Sequence, residues 1–336
     1  LEQAGDRAWG QHANVAAEGY YWESVESLSR LGRDLDAARA REKLGTVLCT
    51  LARYEEALAV LDQAAETYRT VDDVERLGHT MAQIGRVHAL RGTLSEGIER
   101  LQPVLALLEA QAPSHALAAL YAALAYLLFG SGRYAEDLVV AERAVEVART
   151  LQDERLLAYA GYQHGIALAW LGRTEDGLRV LDEARARAEA VGDLLTLCDV
   201  LDPLGWLYTL RGEFDRSTVH IERAVVVAER LGDPGWIANM VSHCGVPALY
   251  AGHWDQARSA FERGVALSRQ VGTSMFLPYT LLARGRLCLW AGTWAAAAQH
   301  LEEALTLVEG VGPLDVLRNV RILLAELDVL EGRPAD

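Results

Sequence analysis

Residues 193–232 read DLLTLCDVLDPLGWLYTLRGEFDRSTVHIERAVVVAERLG, and three glycines within this stretch decide the fold. Gly205 lies inside an apolar helical pattern, Gly212 directly follows Leu210 and Arg211, and Gly232 ends the stretch. Each of the three positions recurs every 40 residues along the 336-residue chain. A constant period without insertion or deletion predicts an array of repeated structural units.

Three sets of glycines carry the recurrence. The first set, in which Ala125 and Ala325 fill the remaining points, is Gly5, Gly45, Gly85, Gly165, Gly205, Gly245 and Gly285. The second set, completed by Ala52, is Gly92, Gly132, Gly172, Gly212, Gly252, Gly292 and Gly332. The third set is Gly32, Gly192, Gly232, Gly272 and Gly312.

Each set has a physical reason. A glycine inside a helix lets a neighbouring helix approach closely, and we expect its partner to be the small residue twelve positions on, such as Ala57 for Gly45. The second set follows helix ends, where a left-handed residue caps the helix. The third set closes the next helix and is followed by Asp193 and Asp233, which are good N-caps. Each unit is therefore predicted to be helix, turn, helix, turn.

Hydrophobic periodicity supports this interpretation. Between Glu55 and Tyr68, the apolar side chains recur at helical spacing and the acidic ones face away from them. No alternating strand pattern competes. The sequence predicts one domain over 1–336, about eight units long: a partial unit over 1–37, seven full units over 38–317, and a capping helix over 314–331.

The unit resembles the tetratricopeptide repeat (TPR). The resemblance is carried by a small residue in the first helix (Gly45), an aromatic residue after the turn (Tyr54), and then Ala57, Leu61 and Ala64. It implies an all-α, right-handed α-α superhelix, although the family's usual unit is about 34 residues long. The longer unit resembles the sensor solenoids of MalT-like bacterial signal-transduction ATPases and transcription activators. That resemblance implies a sensor or interaction arm of a larger regulator, in which a solenoid follows a nucleotide-binding switch and binds an inducer or partner.

Charge and cysteine usage restrict the function classes. The chain has 32 Lys and Arg against 47 Asp and Glu, a net charge of -15 without a basic stripe, which disfavours nucleic acids and anionic membranes as partners. No apolar run is long enough to predict a transmembrane helix. Cys49, Cys198, Cys244 and Cys288 form no CxxC pair, so reduced thiols and a cytoplasmic location are expected.

Catalytic signatures are absent from the sequence. It contains no P-loop, GxGxxG, GxSxG or HExxH motif and no paired histidine spacing, so we expect neither an enzyme nor a metal or cofactor site. Asp199 and Asp202 share one helix face, which suits an acid-base pair or half a metal site, but also an ordinary solvated helix start. A clamp for peptide carboxylates of the chaperone-binding kind is disfavoured because Lys43, the one lysine, is far in sequence from Asn239 and Asn319.

If the units stack as in TPR proteins, the first helix of each unit lines a concave groove. Its second, fifth, ninth and thirteenth positions then face that groove, and the units that begin at 158, 198, 238 and 278 are richest in functional side chains there. The candidate ligand-binding residues are Tyr159, Tyr162, Asp199, Asp202, Trp206, Asn239, His243, Tyr279 and Arg286. Aromatic faces beside carboxylates and an amide suit a peptide, a cationic ligand or a sugar-like small molecule.

The alternative is that these aromatic rings pack between helices and the polar groups are merely solvated. His164 is expected to be a hydrogen-bonded core histidine, and Arg284 must either extend to water or find a carboxylate. The favoured function is a non-enzymatic module that binds a protein or ligand. The alternative function is a structural scaffold that mediates self-association, as a homo-oligomer, or complex assembly.

Overall fold

The computed structural model describes residues 1–11, 13–51, 53–232, 234–271, 276–309 and 314–333. Within these ranges the chain forms helices and turns but no strand. The predicted all-α class is confirmed. None of the helices in these ranges combines the length and the apolar character needed to cross a membrane.

The chain divides into two compact units, Leu1–Gln152 and Asp153–Asp336. Unit 1 contains the helices α1 (Glu2–Gly10), α2 (Asn14–Arg30), α3 (Asp34–Thr50), α4 (Tyr54–Thr70), α5 (Val74–Arg91), α6 (Leu94–Glu109), α7 (His115–Gly130) and α8 (Tyr134–Leu151). Consecutive helices pair as antiparallel hairpins, and α3, α5 and α7, the first helices of successive hairpins, also contact one another.

Unit 2 repeats this arrangement. It contains α9 (Glu154–Trp170), α10 (Thr174–Val191), α11 (Leu194–Leu210), α12 (Phe214–Leu231), α13 (Pro234–His243), α14 (Gly245–Tyr250), α15 (Trp254–Val271), α16 (Leu277–Trp290), α17 (Trp294–Val308) and α18 (Leu314–Leu330). Helices α13 and α14 together occupy the place of one first helix and are separated at Cys244. The continuity of one solenoid over 1–336, with seven full units over 38–317 and a cap over 314–331, stays a prediction.

The glycines of the first set lie where two helices of a hairpin touch. A Cβ atom on Gly45 would lie 2.6 Å from Leu61 Cγ, and one on Gly285 would lie 2.6 Å from Leu301 Cδ2. The tightest contact is thus with the apolar residue sixteen positions on. The small residue twelve positions on is also close in some hairpins, because a Cβ on Gly245 would lie 3.0 Å from the carbonyl oxygen of Ala257.

The turn glycines adopt the predicted left-handed conformation. Every member of the second set has a positive φ, as do Gly32, Gly192 and Gly232 of the third set. Gly272, Gly312 and Ala52 lie outside the described residues. Asp72 and Gln152 stand at points of the third set and adopt φ values of 60° and 54° without being glycine.

The predicted N-cap at Asp193 is confirmed, since its side chain accepts hydrogen bonds from the backbone N–H and the hydroxyl of Thr196, at 3.3 and 2.9 Å. Asp233 lies outside the described residues. The same hydrogen bond forms at Asp73, which caps α5 through the N–H of Arg76 at 3.0 Å. These caps fix where the first helix of a hairpin begins and therefore which residues it presents.

Asp137 breaks the column of small residues on the second helices. It stands in α8 at the position that Ala57, Ser217 and Ala257 occupy elsewhere, and its exposed fraction is 0%. Neither carboxylate oxygen accepts a hydrogen bond from the described residues, and burial raises the pKa of Asp137 to about 8. A carboxyl group therefore lies where packing requires only a small side chain.

Candidate ligand-binding groove

The first helices of unit 2 bring the nine candidate residues onto neighbouring elements. Helix α9 contacts α11, α11 contacts α14, and α13 contacts α16, so these helices form one layer. The candidates are distributed over this layer as Tyr159 and Tyr162 on α9, Asp199, Asp202 and Trp206 on α11, Asn239 and His243 on α13, and Tyr279 and Arg286 on α16. This layer is called the first-helix face below.

Asp202 and His243 join α11 to α13. The Nδ1 atom of His243 lies 2.5 Å from Oδ1 of Asp202, and the two side chains are 23% and 27% exposed. Burial lowers the pKa of His243, but the charge and the hydrogen bond of Asp202 raise it by more, so the imidazole has a pKa above its usual value. The carboxylate of Asp202 thus favours the protonated imidazole of His243, and the pair lies on a partly solvated face.

Three aromatic rings form a ladder across α11, α14 and α16. The ring of Tyr250 meets Trp206 edge to face at a centroid distance of 6.2 Å and meets Trp290 in the same way at 5.6 Å. Edge-to-face contacts at these distances are attractive and hold the rings in defined orientations. Trp290 remains 42% exposed, so one end of the ladder presents an apolar surface to solvent.

Arg286 is attached to this ladder. One guanidinium N–H of Arg286 donates to the hydroxyl oxygen of Tyr250 at 2.7 Å. Arg286 is half-buried and forms no ion pair with a carboxylate of the described residues. Two positions earlier on α16, Arg284 does find a carboxylate, with 3.4 Å to Oε1 of Glu262, which decides between the two alternatives open to that residue.

Tyr250 and Trp290 are not among the nine predicted residues, although both occupy the thirteenth position of a unit. Their spacing of one period placed two aromatic rings on the same line of the first-helix face. That recurrence is a signal which sequence reasoning can use, because equal positions in successive units become neighbours when the units stack. Choosing residues for their polar groups misses this signal.

The remaining tyrosines lie elsewhere on the face. The rings of Tyr159 and Tyr162 contact each other at 5.9 Å, and Tyr159 accepts a hydrogen bond of 3.1 Å from the amide of the buried Gln163. Tyr279 packs against the apolar core of α16 to α18. Asp199 and His164 are both half-buried. The role of these residues in binding stays a prediction.

Asn239 is buried, with an exposed fraction of 3%, and its side-chain carbonyl oxygen accepts no hydrogen bond from the part of the chain that the structure describes. Asn239 is buried because of the way in which α13 packs against α15. A Cβ on Gly264 of α15 would lie 2.6 Å from Cβ of Ser242, the fifth residue of its unit, whereas the corresponding contact of α10 is made by Gly161, a fourth residue. Helix α13 is thus offset by one residue, which takes Asn239 and Ser242 into the helix packing and leaves His243 beside Asp202.

Counting along a 40-residue period cannot detect such an offset, because it assumes that every helix has the same rotation. Two local features accompany it: the helix is interrupted at Cys244, and Pro247 has no backbone N–H to donate to the carbonyl of His243. Within the described ranges, no group of three His, Cys, Asp or Glu side chains could hold a metal ion. The Asp199 and Asp202 pair is therefore not extended to a three-ligand site there.

Comparison with known proteins agrees with the fold. The tetratricopeptide repeat family matches residues 37–71. No curated protein sequence matches the chain significantly. Among solved structures, a Rap protein complexed with Competence and Sporulation Factor is similar at a TM-score of 0.66 and 15% identity, over 88% of this chain and 77% of that one.

Two further structures are similar over most of their length. NprR in complex with its cognate peptide NprX has a TM-score of 0.61 and 14% identity, with 84% of each chain covered. Aspartyl phosphate phosphatase F from Bacillus subtilis has a TM-score of 0.64 and 12% identity, over 84% of this chain and 73% of that one. At these identities the likeness establishes a TPR-like solenoid fold, which is generally a scaffold for binding rather than for catalysis.

Proposed function

We propose that this protein is a peptide-binding TPR-like module and that its ligand lies on the first-helix face of unit 2. The observation that supports this proposal most directly is the ladder of Trp206, Tyr250 and Trp290, which spans three helices and ends in an exposed ring. An aromatic surface flanked by a few oriented polar groups is typical of ligand sites. Two structures with a similar fold support a peptide ligand, since the Rap protein is complexed with a factor and NprR with its cognate peptide.

The wider role that we propose is that of a sensor or interaction arm in a larger cytoplasmic regulator of bacterial signalling or transcription. The resemblance of the 40-residue unit to MalT-like sensors supports it, and it stays a prediction. A ligand that contacts several first helices would favour one arrangement of those helices over another and so shift the equilibrium of an attached switch. The proposed activity is binding, with no chemical step.

The test is affinity selection with the immobilised full chain and a synthetic hexapeptide library, read by mass spectrometry. We expect the wild type to enrich a subset of peptides, and we expect Trp206→Ala to lose most of that enrichment. Trp254→Ala is the control, because Trp254 is an exposed tryptophan of unit 2 that begins the second helix α15, whereas Trp206 is half-buried on the first helix α11. Isothermal titration of the enriched peptides against Asp202→Ala and Tyr162→Ala then tests two of the predicted site residues.

Equal enrichment by the wild type and Trp206→Ala would contradict the placement of the site. Complete absence of enrichment, together with a concentration-dependent increase of mass in light scattering, would favour the alternative function, a scaffold that acts through self-association. Both outcomes are measured on the same preparation. The two functions are therefore separated by one set of experiments.

A further inference from the structure

We infer that the first-helix face of unit 2 selects ligands with a carboxylate next to an apolar side chain, and that Arg286 and Tyr250 bind this carboxylate. The inference rests on the proposed function and specifies its ligand class. It is carried by the state of Arg286, by the geometry of Tyr250 and by the aromatic surface on either side of them.

The first observation is the partner of the Arg286 guanidinium. Arg286 is half-buried on α16, and its guanidinium contacts the neutral hydroxyl oxygen of Tyr250, without an ion pair to a described carboxylate. Other half-buried arginines of unit 2 are paired: Arg185 with Asp182 and Glu189, and Arg284 with Glu262. A guanidinium that is partly removed from water gains most from an anionic partner, and a planar carboxylate fits its fork of N–H donors.

Tyr250 supplies a second donor at the same place. Its hydroxyl oxygen accepts the N–H of Arg286, so the O–H hydrogen of the phenol is left to donate. The contacts with Trp206 and Trp290 fix the ring that carries this hydroxyl. Guanidinium and phenol together therefore offer two oriented donors to one carboxylate.

The carboxylate of Asp202 already has a partner. Asp202 on α11 is held by His243 at 2.5 Å, and this pair is close to neutral while the imidazole is protonated. Although the whole chain has a net charge of -15, the cationic Arg286 is hydrogen-bonded to the ladder through Tyr250. Local charge complementarity thus favours an anionic group on the ligand.

The aromatic surface fixes what stands beside the carboxylate. The centroid distances of 6.2 and 5.6 Å place the two outer rings of the ladder at most about 12 Å apart. An extended peptide covers about 3.3–3.6 Å per residue, so three or four residues would cross the ladder. The exposed Trp290 then offers an apolar surface to the side chain adjacent to the carboxylate.

A carboxylate in a peptide comes from its C-terminus or from an Asp or Glu side chain, and the experiment separates the two. The full-length protein is immobilised and exposed to two hexapeptide libraries that differ in a free or an amidated C-terminus. Enrichment that disappears in the amidated library assigns a C-terminal carboxylate. Enrichment of Asp or Glu over Asn and Gln in both libraries assigns a side chain.

The variants are Arg286→Gln, Tyr250→Phe and the control Arg258→Gln, whose arginine is exposed on α15 and pairs with Asp255. For Arg286→Gln we expect the affinity for carboxylate-bearing peptides to fall by about 10- to 100-fold, the range of a hydrogen-bonded charge. Tyr250→Phe keeps the ring and should weaken the same peptides by about 3- to 10-fold. Arg258→Gln should leave binding unchanged.

Wild-type enrichment without any preference for a carboxylate would overturn this inference and leave the proposed function standing. Retention of the carboxylate preference by Arg286→Gln would overturn it equally. Absence of any enriched peptide would instead contradict the proposed function. Tyr250→Phe removes a single oxygen atom, so it tests the carboxylate contact even if Arg286→Gln alters the fold.

Discussion

At the scale of single residues, Asp137 shows how one side chain can oppose the repeat that surrounds it. Its neighbours in the column of small residues, such as Ala57 and Ala257, are fully buried without a polar atom on the side chain. Asp137 introduces two buried oxygens that have no hydrogen-bond partner within the described ranges. The sequence alone gives no reason for this exception, because an acidic residue in the first two turns of a helix is common.

We predict that Asp137→Ala stabilises the protein and that the gain grows with pH. With a pKa of about 8, the folded state binds one more proton than the unfolded state from about pH 4 to pH 8, so this residue's contribution to stability is lost as the pH rises through that window. Removing a buried unsatisfied polar group is worth about 1–3 kcal/mol. Urea unfolding at pH 5 and pH 9 measures the effect.

Two controls accompany this measurement. Asp137→Asn should abolish this residue's contribution to the pH dependence of stability. It should raise the free energy of unfolding by less than Asp137→Ala, because a buried amide in the same place still lacks partners. Glu99→Ala, at an exposed position of α6, should change the free energy of unfolding by less than about 0.5 kcal/mol. A difference between Asp137→Ala and the wild type that is equal at pH 5 and pH 9 would contradict the buried, protonated carboxyl.

His243 supports a second prediction of pH dependence. Its pKa is raised by attraction to a carboxylate, whereas the pKa of Asp137 is raised by burial. The charge of Asp202 raises the pKa of His243 above the ordinary value of about 6.5, so the pair's contribution is fully present below about pH 6.5 and is lost as the pH rises through the folded-state pKa. In Asp202→Asn, burial acts without the carboxylate, and the titration midpoint of His243 should fall. NMR titration of the imidazole Cε1–H measures both midpoints, and equal midpoints would be incompatible with the pair.

At the scale of elements, the glycines of the first set act on the distance between the helices of a hairpin. We predict that Gly45→Ala destabilises unit 1 by about 1–3 kcal/mol, because the new methyl group would lie 2.6 Å from Leu61 Cγ and force the helices apart. Gly19→Ala is the matched control. It also lies inside a helix of unit 1, but with nothing within 4 Å of its Cβ position, so it should stabilise by about 1 kcal/mol.

Thermal and urea unfolding of the two variants decide between packing and helix propensity. If both alanines stabilised the protein, close approach would not be the reason for Gly45. The comparison also shows why the repeat could be predicted from sequence. Packing against Leu61 and the left-handed turn at Gly92 each require glycine or a similarly small or permissive residue. Because every unit has the same requirement, glycine recurs in the sequence at a fixed period.

Other features of the helices and turns cannot be recognised from a recurring residue type. Gln152 takes the left-handed conformation without being glycine, and the offset of α13 depends on helix rotation rather than on residue identity. The candidate site is predictable in part. The residue types of Asp202, Trp206, His243 and Arg286 make them candidates, and the recurrence of Tyr250 and Trp290 one period apart places two rings on one line. The contacts of Tyr250 with Trp206 and Arg286 depend on side-chain positions, which the sequence does not give.

At the scale of the whole molecule, charge distinguishes partners more clearly than shape does. A net charge of -15 without a basic stripe predicts no measurable retention of a 30-base-pair duplex at about 100 mM salt, since affinity for DNA depends on clustered Lys and Arg. An electrophoretic mobility shift assay measures this. Binding that weakens steeply as salt rises would show that a basic surface had been overlooked.

The left-handed turn glycines have a consequence for how such a chain can change in length. Because Gly172, Gly212 and Gly252 end successive first helices with the same backbone conformation, removal of the 40 residues between two of them would join equivalent turns in frame. After the deletion, each remaining helix would still face a helix with the same type of residue at the contacting positions, so the caps and hairpin contacts outside the excised segment would be kept. Gain or loss of one whole period is therefore the mutation to which this architecture is most tolerant, and it would alter the number of first helices without redesigning any of them.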